Sequence, residues 1–142
     1  MRLRRRDDEL PPVRRVLVAT DRSETAERAV RFAADMAQRY DAELLLLRVL
    51  LKDDGVLAEA GRELAEHARG LAGEQGRSAV VVGEDPATAI VDAAKRERAD
   101  VVVVGSVGMS GRKEFLLHNV PNRVSHNAPC TVVIVQTHAE AR

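Results

Sequence analysis

Four consecutive valines, Val101 to Val104, restrict the fold of this chain more than any other segment. An apolar run without alternation suits a strand covered on both faces, as in a parallel sheet. Gly105 is expected to stop that strand, and Gly108 and Gly111 follow at three-residue intervals. A glycine-rich loop at the carboxyl end of a buried parallel strand is where open α/β sheets bind nucleotides. Glycine lets the backbone approach phosphate closely and aim N–H groups at it. The spacing GxxGxxG is neither the dinucleotide GxGxxG nor the phosphate-loop GxxxxGK[ST]. Taken alone it is a weak signal, so its surroundings have to carry the reading.

The 142 residues suit one domain with one core. Aromatic residues make up only 2% of the chain, so the core must be built from Val, Leu, Ile and Ala. That composition also argues against a stacking platform for single-stranded nucleic acid. Lys+Arg and Asp+Glu are equal at 22 each, and the formal net charge is zero. Nothing global therefore calls for nucleic acid or an anionic membrane. No apolar run approaches the roughly 20 residues of a membrane span. The opening MRLRRRDDELPP is charged and has no apolar stretch, so no secretory signal is expected. A single cysteine, Cys130, is compatible with a reducing compartment, and a cytoplasmic protein is expected.

The apolar periodicity alternates along the chain. Residues 1–12 read as a disordered charged tail, with an anion-contacting arm as the alternative. Val13 to Thr20 reads as a strand, and Ser23 with Glu24 as the start of a helix running to about Arg39. Glu43 to Leu50 is a second strand and Leu57 to Ala72 a second helix, ended by Gly73 and Gly76. Ser78 to Val82 is a third strand. Asp85-Pro86 opens a third helix, Asp as N-cap and Pro in the first turn, which ends near Arg98. After the valine strand, residues 112–117 read as a loop or a short helical turn. Asn119 to Asn127 is a last helix, Thr131 to Val135 a last strand, and residues 138–142 a tail. Such alternation implies an α/β fold, Rossmann-like or flavodoxin-like, with a five-stranded parallel sheet and helices on both faces. The first and fourth strands are expected as central neighbours, which brings Asp21 and Gly105 to one crevice.

Those residues resemble the universal stress protein family from Val13 to Val135. VLVATDRSETAERAVRFA is similar to its first strand, Asp and helix, and AELLLLRVL to its second strand. VVGEDPATAIVDAAKRERADVVVVGSVGMSG and HNAPCTVVIV are similar to its later strands and helices. The resemblance implies a domain over residues 13–137, a dimer joined through the last strand, and for some members an ATP site. Their pattern is G-x2-G-x9-G-[ST]. Here Gly105 and Gly108 fill the first two positions, but His118 and Asn119 stand where the pattern has Gly and Ser or Thr.

The resemblance further implies nucleotide contacts at Ala19, Thr20, Asp21, Val49, Gly105, Gly108, Met109, Gly111, His118, Asn119 and Val120. Asp21 would bind the ribose hydroxyls, because an ionised carboxylate only accepts; the alternative is a cap for the following helix. Val49 would read the adenine edge with its backbone, or simply pack in the core. His118 would donate to phosphate, or simply help start a helix, while the N-cap residue Asn119 could donate through its amide. Arg112 and Lys113 would meet a polyphosphate, or remain solvated. Mg²⁺ or Mn²⁺ could bridge such phosphates. Cys130 reads as a small buried hydrophobe rather than a redox sensor, and His126 as a cation at a helix C-terminus rather than a ligand. Ser23 has no evident base beside it, so no nucleophile is expected.

The resulting expectation is a dimeric stress-response switch that binds ATP, ADP or AMP, with at most slow ATP hydrolysis. A nucleotide-free interaction module and a cyclic AMP binder are the alternatives. The last strand, TVVIV, is expected at a sheet edge, where pairing with a second copy would cover its exposed apolar edge.

Overall fold

The computed structural model describes residues 12–106 and 119–137. The two expected tails (apart from Pro12) and residues 107–118, which include Gly108, Met109, Gly111, Arg112, Lys113 and His118, lie outside the described residues.

The described elements are β1 (Arg15–Ala19), α1 (Glu24–Tyr40), β2 (Glu43–Leu50) and α2 (Leu57–Ala72). A 3-10 turn (Gly73–Gln75), β3 (Gly76–Val82), α3 (Pro86–Arg96) and β4 (Val101–Gly105) follow. Then come α4 (Val120–Asn127) and β5 (Thr131–Val135). The sheet order is β3-β2-β1-β4-β5, and every neighbouring pair is parallel. The expected five-stranded parallel α/β fold is therefore present, with β1 beside β4 and β5 at an edge.

Strand alternation divides the core into two. Val16, Val18, Leu44, Leu46, Val101 and Val103 pack with apolar residues of α1 and α2, such as Val30, Ala33, Leu64 and Ala68. Leu17, Ala19, Leu45, Leu47, Val102 and Val104 pack with α3 and α4 through Ile90, Ala94, Val120 and Val124. Each fully buried Leu or Val contributes roughly 1.5–3 kcal/mol relative to exposure. Alanines on α1 and α3 let those helices lie close to the sheet.

Local chemistry sets the boundaries. Ser23 is extended, and its Oγ accepts the Ala26 N–H at 3.2 Å, starting α1 as expected. Asp41 closes that helix in the left-handed region at φ 55. β1 begins at Arg15 rather than Val13 and ends at Ala19 rather than Thr20. β4 continues through Gly105, in register with Val135, so Gly105 belongs to the strand it was expected to stop. Gly73 follows α2 as expected, but Gly76 does not end it. Gly76 opens β3, two residues before the expected start.

The reason is a close approach. A Cβ on Gly76 would lie 2.1 Å from the Ala68 carbonyl oxygen of α2. That contact is with backbone, so no side-chain rotation relieves it. Gly76→Ala is expected to lower the unfolding free energy by about 1–3 kcal/mol, the usual range for overpacking. Urea unfolding checks this, and a variant as stable as the parent would mean that α2 and β3 separate freely.

Candidate functional site

The chain leaves β1 toward the α1 face of the sheet. After β4 its next described helix, α4, packs on the opposite face. The carboxyl ends of these adjacent strands thus form the switch point at which open α/β sheets hold ligands.

On the β1 side, the backbone is held by its own side chains. Ala19 is buried, and the Thr20 N–H donates to the Leu47 carbonyl at 2.8 Å. Thr20 is 1% exposed, and its Oγ1 accepts the Arg22 N–H at 2.9 Å. Asp21 Oδ1 accepts the Ser23 N–H at 2.9 Å and so holds the turn, but the cap of α1 is Ser23 and not Asp21. Arg22, between them, has φ 71.

Val49 serves the core through its side chain, packing against the α3 and α4 cluster. Its backbone has a further property. The Leu47 carbonyl faces β1, whereas the Leu50 carbonyl accepts from Gly83 on the β3 side. Odd positions of β2 therefore direct their polar backbone groups toward β1. Val49 shares that parity, and it lies two residues beyond the last β1–β2 pair, Ala19 with Leu47. Its N–H and C=O consequently face the crevice side where β1 has ended.

On the β4 side, Gly105 has a packing role that the loop spacing did not reveal. A Cβ there would meet Thr137 Cγ2 at 2.8 Å and Oγ1 at 3.0 Å. The space opened by this glycine is filled by the chain's own Thr137, which is 2% exposed. Ser106 fastens the same corner. Its N–H donates to the Val135 carbonyl at 2.7 Å, and its hydroxyl donates to Gln136 Oε1 at 2.5 Å. Its Oγ accepts the Thr137 N–H at 3.2 Å.

Asn119 departs from expectation. It precedes α4 in the left-handed region at φ 50, and its side chain makes no capping bond. Asparagine tolerates this conformation better than most residues. Val120 is fully buried, so its side chain anchors the helix in the core. Among the described residues, no group of three His, Cys, Asp or Glu side chains could hold a metal ion. No described helix is long and apolar enough to cross a membrane.

Comparison with known proteins supplies the family. The universal stress protein family model matches residues 12–136. The chain belongs to the universal stress protein family. It is 33% identical to universal stress protein Rv1636 of Mycobacterium tuberculosis, over 86% of this chain and 95% of that protein. A solved universal stress protein in complex with cAMP is 31% identical, with a TM-score of 0.71. That match covers 88% of this chain and 98% of the other. The structure of the protein MJ0577 is 26% identical with a TM-score of 0.74, covering 92% of this chain and all of that one.

Within this universal stress protein, α3 and α4 are joined by a contact not anticipated from sequence. Asp85 stands at the N-cap of α3 as expected, its carbonyl accepting the Ala89 N–H at 3.0 Å and the Ala87 N–H lying beside its carboxylate. Its oxygens also accept from both terminal nitrogens of Arg123 on α4, at 2.8 and 2.6 Å. The Thr88 hydroxyl donates to it at 2.8 Å. A planar guanidinium matches two carboxylate oxygens better than one backbone N–H can. Sequence offers little signal for this pair, because 38 residues separate the partners. Cys130 is half-buried beside the same core, and burial pushes its thiol pKa up, in keeping with an unreactive role. His126 lies in the last turn of α4, as expected.

Hydrogen bonds from Arg123 lower the Asp85 pKa from 3.8 to about 2; Thr88 adds to this, and partial burial opposes it. A lowered carboxylate pKa favours the folded state fully above its ordinary value, and that contribution is lost as pH falls through the folded value. Arg123→Ala should therefore be less stable than the parent at neutral pH. The difference should shrink as pH falls from 3.8 through about 2. Urea unfolding of both proteins across that range checks this; a pH-independent difference would count against the pair.

Proposed function

We propose that this universal stress protein binds an adenine nucleotide in the crevice between β1 and β4 and acts as a dimeric stress-response switch without strong catalysis. The observation that carries the reading is the 31% identical universal stress protein in complex with cAMP, whose match spans most of both chains. Local chemistry is consistent with it. Asp21 offers a carboxylate suited to ribose hydroxyls, and Val49 presents backbone groups suited to an adenine edge. The functional unit is residues 13–137, and the expected setting is the cytoplasm.

ATP, ADP and AMP are the first candidates, with Mg²⁺ or Mn²⁺ bridging the phosphates where there are several. Cyclic AMP is the second reading, favoured by that complex. It needs less phosphate room, which suits a chain with His118 and Asn119 at the Gly-[Ser/Thr] positions. Any ATP hydrolysis would be slow, since no general base or water-positioning residue stands out in the sequence. Calorimetric titration with ATP, ADP, AMP and cAMP, with and without Mg²⁺, is expected to give saturable binding of at least one. Gly108→Val should abolish it while the protein stays folded. Absence of heat from every nucleotide, followed by ATP binding in His118→Gly, would instead support a nucleotide-free interaction module.

The dimer proposal rests on the sheet edge. β5 is a terminal strand, and Ile134 is 46% exposed on it. Pairing Thr131–Val135 with a second copy would cover this edge by two-fold symmetry. Light scattering at micromolar concentration should give twice the chain mass, and a single-chain mass would remove this part of the proposal.

A further inference from the structure

The turn after β1 contains a residue whose backbone and side chain are at odds. Arg22 has φ 71, in the left-handed region where an L side chain is strained and glycine is not. Three bonds impose this path irrespective of which side chain stands at position 22. Thr20 Oγ1 takes the Arg22 N–H, Asp21 Oδ1 takes the Ser23 N–H, and Ser23 Oγ takes the Ala26 N–H. Glycine would meet the same turn without strain.

Among the described residues, arginine gains no partner in return. It is exposed, and no described residue makes an ion pair or hydrogen bond with its guanidinium. Its position is distinctive as well. The described residues at the crevice ends of β1, β4 and the start of α4 are Ala19 to Arg22, Val104 to Ser106, and Asn119 with Val120. Asp21 is the one carboxylate among them and Arg22 the one cation. The Arg22 guanidinium offers planar donors to phosphate oxygens. Strain retained at a site without structural return points toward function.

We infer that Arg22 is a specificity residue of the crevice that contacts the phosphate of the bound nucleotide and so favours AMP or cAMP over the uncharged nucleoside adenosine. The inference rests on the proposed nucleotide site and assigns it a residue.

Three variants separate charge from strain. Arg22→Ala keeps the strained backbone and removes the charge, Arg22→Gly removes both, and Arg22→Lys keeps the charge. Calorimetry with AMP, cAMP and adenosine is expected to show phosphate-bearing ligands binding about tenfold more weakly to the Ala and Gly variants, the scale of one charge-assisted hydrogen bond. Adenosine affinity should stay the same, and the Lys variant should keep part of the preference. Thermal unfolding should place Arg22→Gly above both the parent and Arg22→Ala. If the parent binds AMP or cAMP and Arg22→Ala keeps the parent's affinity, the role of Arg22 falls while the nucleotide site stands. If the parent binds none of AMP, cAMP, adenosine, ADP and ATP, the nucleotide reading falls and this assignment with it. An Arg22→Gly protein less stable than Arg22→Ala would overturn the strain argument.

Discussion

Burial of β1 between β2 and β4 is the constraint on which the molecule depends. Five residues of β1 pair with β2, and three of them also pair with β4. Its side chains alternate between two cores, Val16 and Val18 toward one and Leu17 and Ala19 toward the other. A one-residue slip would exchange those sets and misplace both helix layers. The same register fixes where β1 stops, and hence where the Thr20–Ser23 turn meets the end of β4.

That turn shows how a fold can hold a site in an unfavourable local conformation. Thr20, Asp21 and Ser23 each use a side-chain oxygen to bind a nearby backbone N–H. Together they launch α1 and leave Arg22 at positive φ. The opposite side of the crevice is held differently. There Ser106 and Thr137 join the end of β4 to the end of β5, and Gly105 leaves the room that Thr137 occupies. The crevice is therefore framed by one local turn and one long-range fastening.

Much of the architecture was legible because it rests on short-range patterns. The valine run, the leucine run and the helical spacing of alanines each report burial without knowledge of neighbours. Ser23 is a cap whose partner lies three residues away, so its role could be read directly. Asp85 carried the same signal and stands at the cap of α3, but the pairing of its carboxylate with Arg123 arises only from the packing of α3 against α4. Gly76 looked like a helix stop because its closest neighbour, the Ala68 carbonyl, is reached only after β3 folds back along α2. Of the candidate binding residues, Ala19, Thr20, Asp21 and Gly105 could be placed at one crevice from strand order alone. The direction of Val49's backbone could not.

The sequence by itself determined the α/β class, the parallel sheet, its expected central pair and the family resemblance, because periodicity and local motifs are properties of neighbouring residues. Tertiary structure alone decided that Gly105 accommodates Thr137, that Asp85 holds Arg123, and that β2 outruns β1 beside Val49. Each of these depends on groups brought together across tens of residues or on the relative ends of two strands. No local preference encodes such distances, which arise only when the sheet register and helix packing are settled together.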